Sequence, residues 1–354
     1  MTLNLSRQTM LAGSTILALL GAVGPVLAQD SVVEGVFALP GVAQAVMGQL
    51  NVVETGPLTR RIELIYADKA SGEQIAGYDV ELTQQLHILA TDAGLTHLIH
   101  EHADVVGDDG RFTAELEFPA PGLYHIYTDA VPTGIGQQVM RFDVTISEAA
   151  SASEVPRPAA VDVSTSPLVS SDGPYSVTLD AAQLKPGVES AVSLLVEKHG
   201  EPAADLEPYL GVSAHAVFIR AEDLAYVHAH AMGAGAEGGH DAHGAKSTTA
   251  PSEPARHDHG GDESSHGGHE APDHTGGHDA HGDAAAPAAG HDSHDSHDSH
   301  DAAATEAVDP NMSLHVTPPA AGVYALWIEF IGGDEIRTVP FTIEIPEAHS
   351  HASH

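Results

Sequence analysis

The chain has 354 residues, with 50 acidic against 13 basic side chains and a formal net charge of −37 with histidine neutral. That imbalance argues against nucleic acid and anionic membrane surfaces and favours cations as partners. There is no cysteine, which removes disulfides, thiolate metal sites and cysteine nucleophiles, whereas 26 histidines are concentrated in a few stretches.

The N-terminus reads as a signal peptide over residues 1–28. Arg7 supplies the positive region, Met10–Leu20 is mostly apolar, and Val26-Leu27-Ala28 offers a small-residue cleavage site. The expected location of the mature protein is therefore periplasmic or secreted, and no later stretch reaches the length of apolar sequence that spans a bilayer. Residues 30–48 carry small apolar residues without strict period and read as a short helix or an arm laid on the first domain. Strand signals begin at residue 49. Gln49–Glu54 and Arg61–Tyr66 are alternating or apolar runs divided by Thr55-Gly56-Pro57, and Ala76–Thr83 is a further candidate. Leu86–Ala90 and Leu98–His102 flank a break at Thr91–Gly94. After the turn Gly107–Gly110 come Arg111–Phe118, Leu123–Tyr127 and Gln138–Ile146.

Many short strands with frequent turn signals predict an all-β chain. The architecture expected is two tandem immunoglobulin-like antiparallel β-sandwiches. The first covers residues 49–147, an Ala/Ser/Pro linker covers 148–172, and the second covers 173–346. The tandem arrangement follows from an internal repeat: Pro119, Gly122 and Tyr124 recur as Pro319, Gly322 and Tyr324. The second copy is enlarged by an insertion at 232–308, built from Gly, Ala, Asp, Ser and His with almost no bulky apolar residue. Such composition cannot offset its ordering entropy, so disorder is expected. A histidine-containing tail occupies 347–354.

The chemistry lies in the histidines. His87 precedes the pair His100-Glu101-His102, and His215 precedes His228-Ala229-His230 by the same interval. Alternate strand residues share a face, so each pair points one way. A tight turn centred on Ala93-Gly94 places His87 opposite His100, with Cβ atoms roughly 4.5–5.5 Å apart and His102 as the diagonal neighbour. Centring the second turn on Ala221-Glu222 repeats the triangle with His215, His228 and His230. Three neutral imidazoles at this separation suit a divalent transition metal: zinc first, with copper(II), nickel or cobalt as alternatives. Asp129 and Glu329 occupy equivalent positions and could add a carboxylate, although a solvated strand end is the simpler reading of both. The insertion contributes a looser chelating tract, densest at His291, His294, His297 and His300. His97, His125, His199 and His315 fall outside the repeated pattern.

No G-x-S-x-G, phosphate loop or H-E-x-x-H occurs, and His100-Glu101-His102 is too tight for the helical zinc-protease motif. The chain is accordingly read as a binding protein and not an enzyme. Leu86-His87, His100-Glu101-His102 and Phe118–Tyr124, with Ala214-His215, Asp223–His230 and Gly322–Trp327 in the second half, resemble YtkA-like and CopC-like extracytoplasmic β-sandwich modules. That resemblance implies exported metal handling. The function expected is buffering or delivery of a divalent transition metal. The alternative is a non-catalytic accessory module docking on a membrane transporter.

Overall fold

The computed structural model describes residues 31–147, 157–233 and 307–347. The signal-peptide segment, the tail and the histidines at 291, 294, 297 and 300 lie outside the described residues. The described residues all belong to one compact unit.

The N-terminal half contains β1 (Ser31–Glu34), β2 (Val36–Phe37), β3 (Val46–Glu54), β4 (Thr59–Asp68), β5 (Tyr78–Asp79), β6 (Leu86–Asp92), β7 (Leu98–Ala103), β8 (Val105–Val106), β9 (Arg111–Glu117), β10 (Gly122–Pro132) and β11 (Gln138–Ile146). The C-terminal half contains β12 (Val161–Asp162), β13 (Leu168–Asp172), β14 (Tyr175–Asp180), β15 (Ser190–Lys198), β16 (Glu201–Pro202), β17 (Leu206–Glu207), β18 (Ala214–Arg220), β19 (Tyr226–Gly233), β20 (Asn311–Val316), β21 (Gly322–Gly332) and β22 (Ile336–Ile345). The only helix among the described residues is a 3-10 turn at Val163–Thr165. None is long and apolar enough to cross a membrane.

In the N-terminal half the strands form two sheets, in the orders β1-β3-β4-β9-β8 and β2-β11-β10-β6-β7. The C-terminal half repeats the pattern as one curled sheet, β12-β22-β21-β18-β19-β20-β15-β14-β13, because β19 continues directly into pairing with β20 (Ala231 opposite Leu314). Residues 31–48 form no helix and are laid on the first domain as short strands. Ser31–Glu34 pairs with β3 in one sheet and Val36–Phe37 pairs with β11 in the other, so the segment staples the two layers. The candidate strand at Ala76–Thr83 reduces to β5. The stretch read as linker carries β12, which pairs parallel to β22, and β13.

Each half has its own core. Leu50, Ile62, Leu64, Phe112, Tyr124, Ile126 and Phe142 are buried together in the first, and Val177, Val192, Phe218, Tyr324, Leu326 and Phe341 in the second. The repeated Gly-x-Tyr serves the same purpose in both. The Tyr124 hydroxyl donates to the Ala120 carbonyl at 2.9 Å and the Tyr324 hydroxyl to the Ala320 carbonyl at 2.6 Å, tying each strand start to the turn before it. Gly322, at φ +134°, makes that entry in a region that side chains rarely adopt.

A third core joins the halves. Leu89, Tyr127 and Val139 from the N-terminal half pack with Val217, Ile219, Tyr226, Ala325 and Trp327 from the C-terminal half. The rings of Tyr127 and Tyr226 stack at 5.3 Å. Strand β6 is consequently buried along its whole length: Leu86, Ile88 and Ala90 face their own core, while Leu89 faces the partner sheet. In β18, Ala214, Ala216 and Phe218 face inward, and Val217 and Ile219 face the junction. A strand buried on both faces reads as a nearly continuous apolar run, which is what Leu86–Ala90 and Ala214–Ile219 are. The interruptions are His87 and His215. If the junction is a true core, Leu89→Ala should lower the unfolding free energy by about 2–5 kcal/mol in a denaturant titration. A change within about 0.5 kcal/mol, as for a surface site, would contradict it.

Candidate metal centre

The two hairpins pair two residues away from the expected register. His87 lies opposite His102, with His100 opposite Leu89, and His215 lies opposite His230, with His228 opposite Val217. The cause is in the turns. Pairing in the first hairpin stops at Thr91 and Leu98, leaving Asp92–His97 as a wider loop. The Asp92 carboxylate accepts from the backbone N–H groups of Gly94, Thr96 and His97, and Leu95 takes a left-handed conformation, φ +54°. In the second hairpin the loop spans Arg220–Ala225, with Leu224 at φ +60°. A slip of two residues keeps the same face outward, so the triads survive the correction.

His87, His100 and His102 form one cluster and His215, His228 and His230 another, and in each the candidate ligand atoms lie within 4.8 Å of one another. Ring centroids within the first triad are 4.6–5.9 Å apart, and within the second 4.7–5.2 Å. His87 and His215 are 4 % and 0 % exposed.

Backbone carbonyls fix two of the tautomers. His87 Nε2 donates to the Glu81 carbonyl at 3.3 Å and His215 Nε2 donates to the Tyr209 carbonyl at 3.1 Å, from equivalent turns in the two halves. Each Nδ1 is thereby left with its lone pair. A third ring is oriented from across the junction: His100 Nδ1 donates to the Glu329 carboxylate at 2.6 Å, whose other oxygen accepts from the Thr338 hydroxyl at 3.0 Å. Glu329 is 3 % exposed, so it is not a solvated strand end. Its counterpart Asp129 is equally buried, accepts from Gln137 and from the Tyr226 hydroxyl of the other half, and has its carboxyl pushed up to about 7 by burial.

What remains is a set of bare nitrogens. His87 Nδ1, His100 Nε2 and His102 Nε2 are buried with no hydrogen-bond partner among the described residues. Leaving one such atom unpaired costs about 1–3 kcal/mol. Three imidazoles with ring nitrogens within 4.8 Å of one another could hold a metal ion, with a carboxylate behind one ring as metal-bound histidines usually have. In the second triad His215 Nδ1 lies 3.0 Å from His228 Nε2, so without an ion those two rings share a proton. Burial lowers the affinity of these rings for protons, holding His87 near 4, His102 near 3 and His228 well below its ordinary value. Neutral imidazole is the metal-binding form.

Three of the histidines outside the repeat have other partners: His97 meets Thr96 and Asp92, His125 Nδ1 meets the Asp143 carboxylate at 2.7 Å, and His315 lies near Glu189. The cavity between Pro158, Leu168 and Phe341 and the one between Phe37, Arg141 and Leu224 are lined by none of the six triad histidines.

A family described as a domain of unknown function (DUF8832) matches residues 169–255, a span that contains the second triad. No curated protein and no solved structure matches the chain. The matching model is not that of the YtkA-like or CopC-like modules; the chain is an all-β protein with two clustered histidine triads able to coordinate a metal ion.

Two outcomes follow from this geometry. Glu329→Gln should weaken metal binding at the first triad by roughly 10–100-fold while leaving the fold intact. Unchanged affinity in a competition titration would mean that Glu329 does not orient His100. For the metal-free protein, the depressed values of His87 and His102 mean that the unfolded chain takes up protons that the folded chain refuses. The melting temperature should therefore fall as pH drops from about 6.5, the unfolded value, toward 4. A flat profile across that window would show the rings to be solvated.

Proposed function

We propose that the chain is an exported metal-binding protein that holds a divalent transition metal at the two histidine triads, for buffering or for delivery to a membrane transporter. The observation that carries this reading is that His87, His100 and His102 bring one ring nitrogen each within 4.8 Å of one another, while His87 Nδ1, His100 Nε2 and His102 Nε2 are buried with no hydrogen-bond partner among the described residues. Imidazole donors with a carboxylate behind them suit zinc first, and copper(II), nickel or cobalt by the same chemistry. His291, His294, His297 and His300 would collect ions loosely from solution. The two halves, 49–147 and 173–346, are read as immunoglobulin-type modules akin to the YtkA-like and CopC-like sandwiches. The paired tyrosine-to-turn hydrogen bonds at Tyr124 and Tyr324 support that reading. The role is binding and not catalysis.

Isothermal titration with zinc tests the reading. The full chain should show a small number of tight sites above a weaker background. Replacing His87, His100, His102, His215, His228 and His230 by alanine should abolish the tight class and leave the background. Unaltered tight-site stoichiometry in that variant would refute the triads as ligands.

A further inference from the structure

The two triads do not lie at opposite ends of the molecule. His87 and His215 are the polar interruptions in β6 and β18, the strands that supply Leu89 and Val217 to the shared core, so each triad is carried to the same junction by its own half. Across that junction the ring centroids of His87 and His228 are 5.5 Å apart, those of His100 and His215 5.6 Å, those of His100 and His228 5.7 Å, and those of His87 and His215 6.4 Å. These separations overlap those within a triad. The Tyr209 ring bridges the groups, 4.8 Å from His215, 6.1 Å from His100 and 6.4 Å from His102.

We infer that the triads form one two-ion centre, in which six imidazoles hold a close pair of divalent transition-metal ions across the junction between the halves. This deepens the metal-binding reading and rests on it. Two dications in a site shielded from water repel each other strongly unless negative charge is supplied nearby. Two buried carboxylates stand at equivalent positions to supply it. Glu329 bonds to His100 of the opposite triad, and Asp129 lies beside His87 on the neighbouring strand while bonding to Tyr226 of the opposite half. Each half thus places its acid against the other half's residues, which ties ion loading to docking of the halves. The first triad is complete only with Glu329 in place.

Anomalous diffraction from crystals of the full chain grown with excess zinc decides the matter. Two peaks are expected, each about 2.0–2.1 Å from three imidazole nitrogens. They should lie nearer to each other than ~10 Å, the range over which charges interact at ordinary ionic strength. One peak shared by rings of both halves, a single occupied triad, or two peaks farther apart would overturn the paired centre and leave metal binding standing. No peak among the six rings would instead overturn the metal-binding reading itself.

Discussion

A polar ring placed in an apolar interface must find a partner, and this constraint organises the molecule. The sheet faces that join the halves are built from Leu89, Tyr127, Val139, Val217, Ile219, Tyr226 and Trp327. Into that surface the chain inserts six imidazoles, two buried carboxylates and a few backbone carbonyls. Some of the polar atoms satisfy one another. His87 Nδ1, His100 Nε2 and His102 Nε2 have no hydrogen-bond partner among the described residues, and they sit on three rings clustered together. An interface selected for stability alone would have apolar residues there, since buried unpaired polar atoms only detract from it. Retaining them makes sense if something absent from the polypeptide completes the set.

Duplication explains how the arrangement is kept in register. Glu81 and Tyr209 offer their carbonyls from matching turns, and each orients the first histidine of its triad in the same tautomer. The third element is not duplicated faithfully. Glu329 reaches across to His100, whereas the shorter Asp129 accepts from Gln137 and Tyr226. The two triads are therefore alike in outline and unlike in detail: one has three bare nitrogens, and the other has His215 and His228 in mutual contact. Two sites of unequal affinity are the natural consequence.

Much of this was legible in the sequence, for identifiable reasons. The equal spacing of His87 to His100-Glu101-His102 and of His215 to His228-Ala229-His230 is a local pattern, and strand alternation turns it into geometry without knowledge of the rest of the fold. The register differs by two residues from the one the sequence predicts because Ala93-Gly94 has the composition of a tight turn, whereas the Asp92 carboxylate gathers a wider loop. The triads are unaffected because a slip of two preserves the face. Burial of Glu329 was not legible. On its own strand it looks like a polar residue beyond Trp327, and only docking of the halves brings His100 to it. The carbonyls of Glu81 and Tyr209 leave no trace in side-chain patterns at all. Leu86–Ala90 did carry a signal of burial on both faces in its near-continuous apolar run, but one half considered alone offers no second surface to bury it against.

The central claim is that ions bind at the junction of the two halves, where they must also stabilise the fold. Melting of the full chain with and without zinc at about 100 times the dissociation constant tests it directly. Binding to the folded state alone contributes about 2.7 kcal/mol per site at that ratio, a rise of several degrees. The expected result is a marked rise in the intact protein and none in the variant with all six triad histidines changed to alanine. An equal rise in both, or none in the intact protein, would contradict the account.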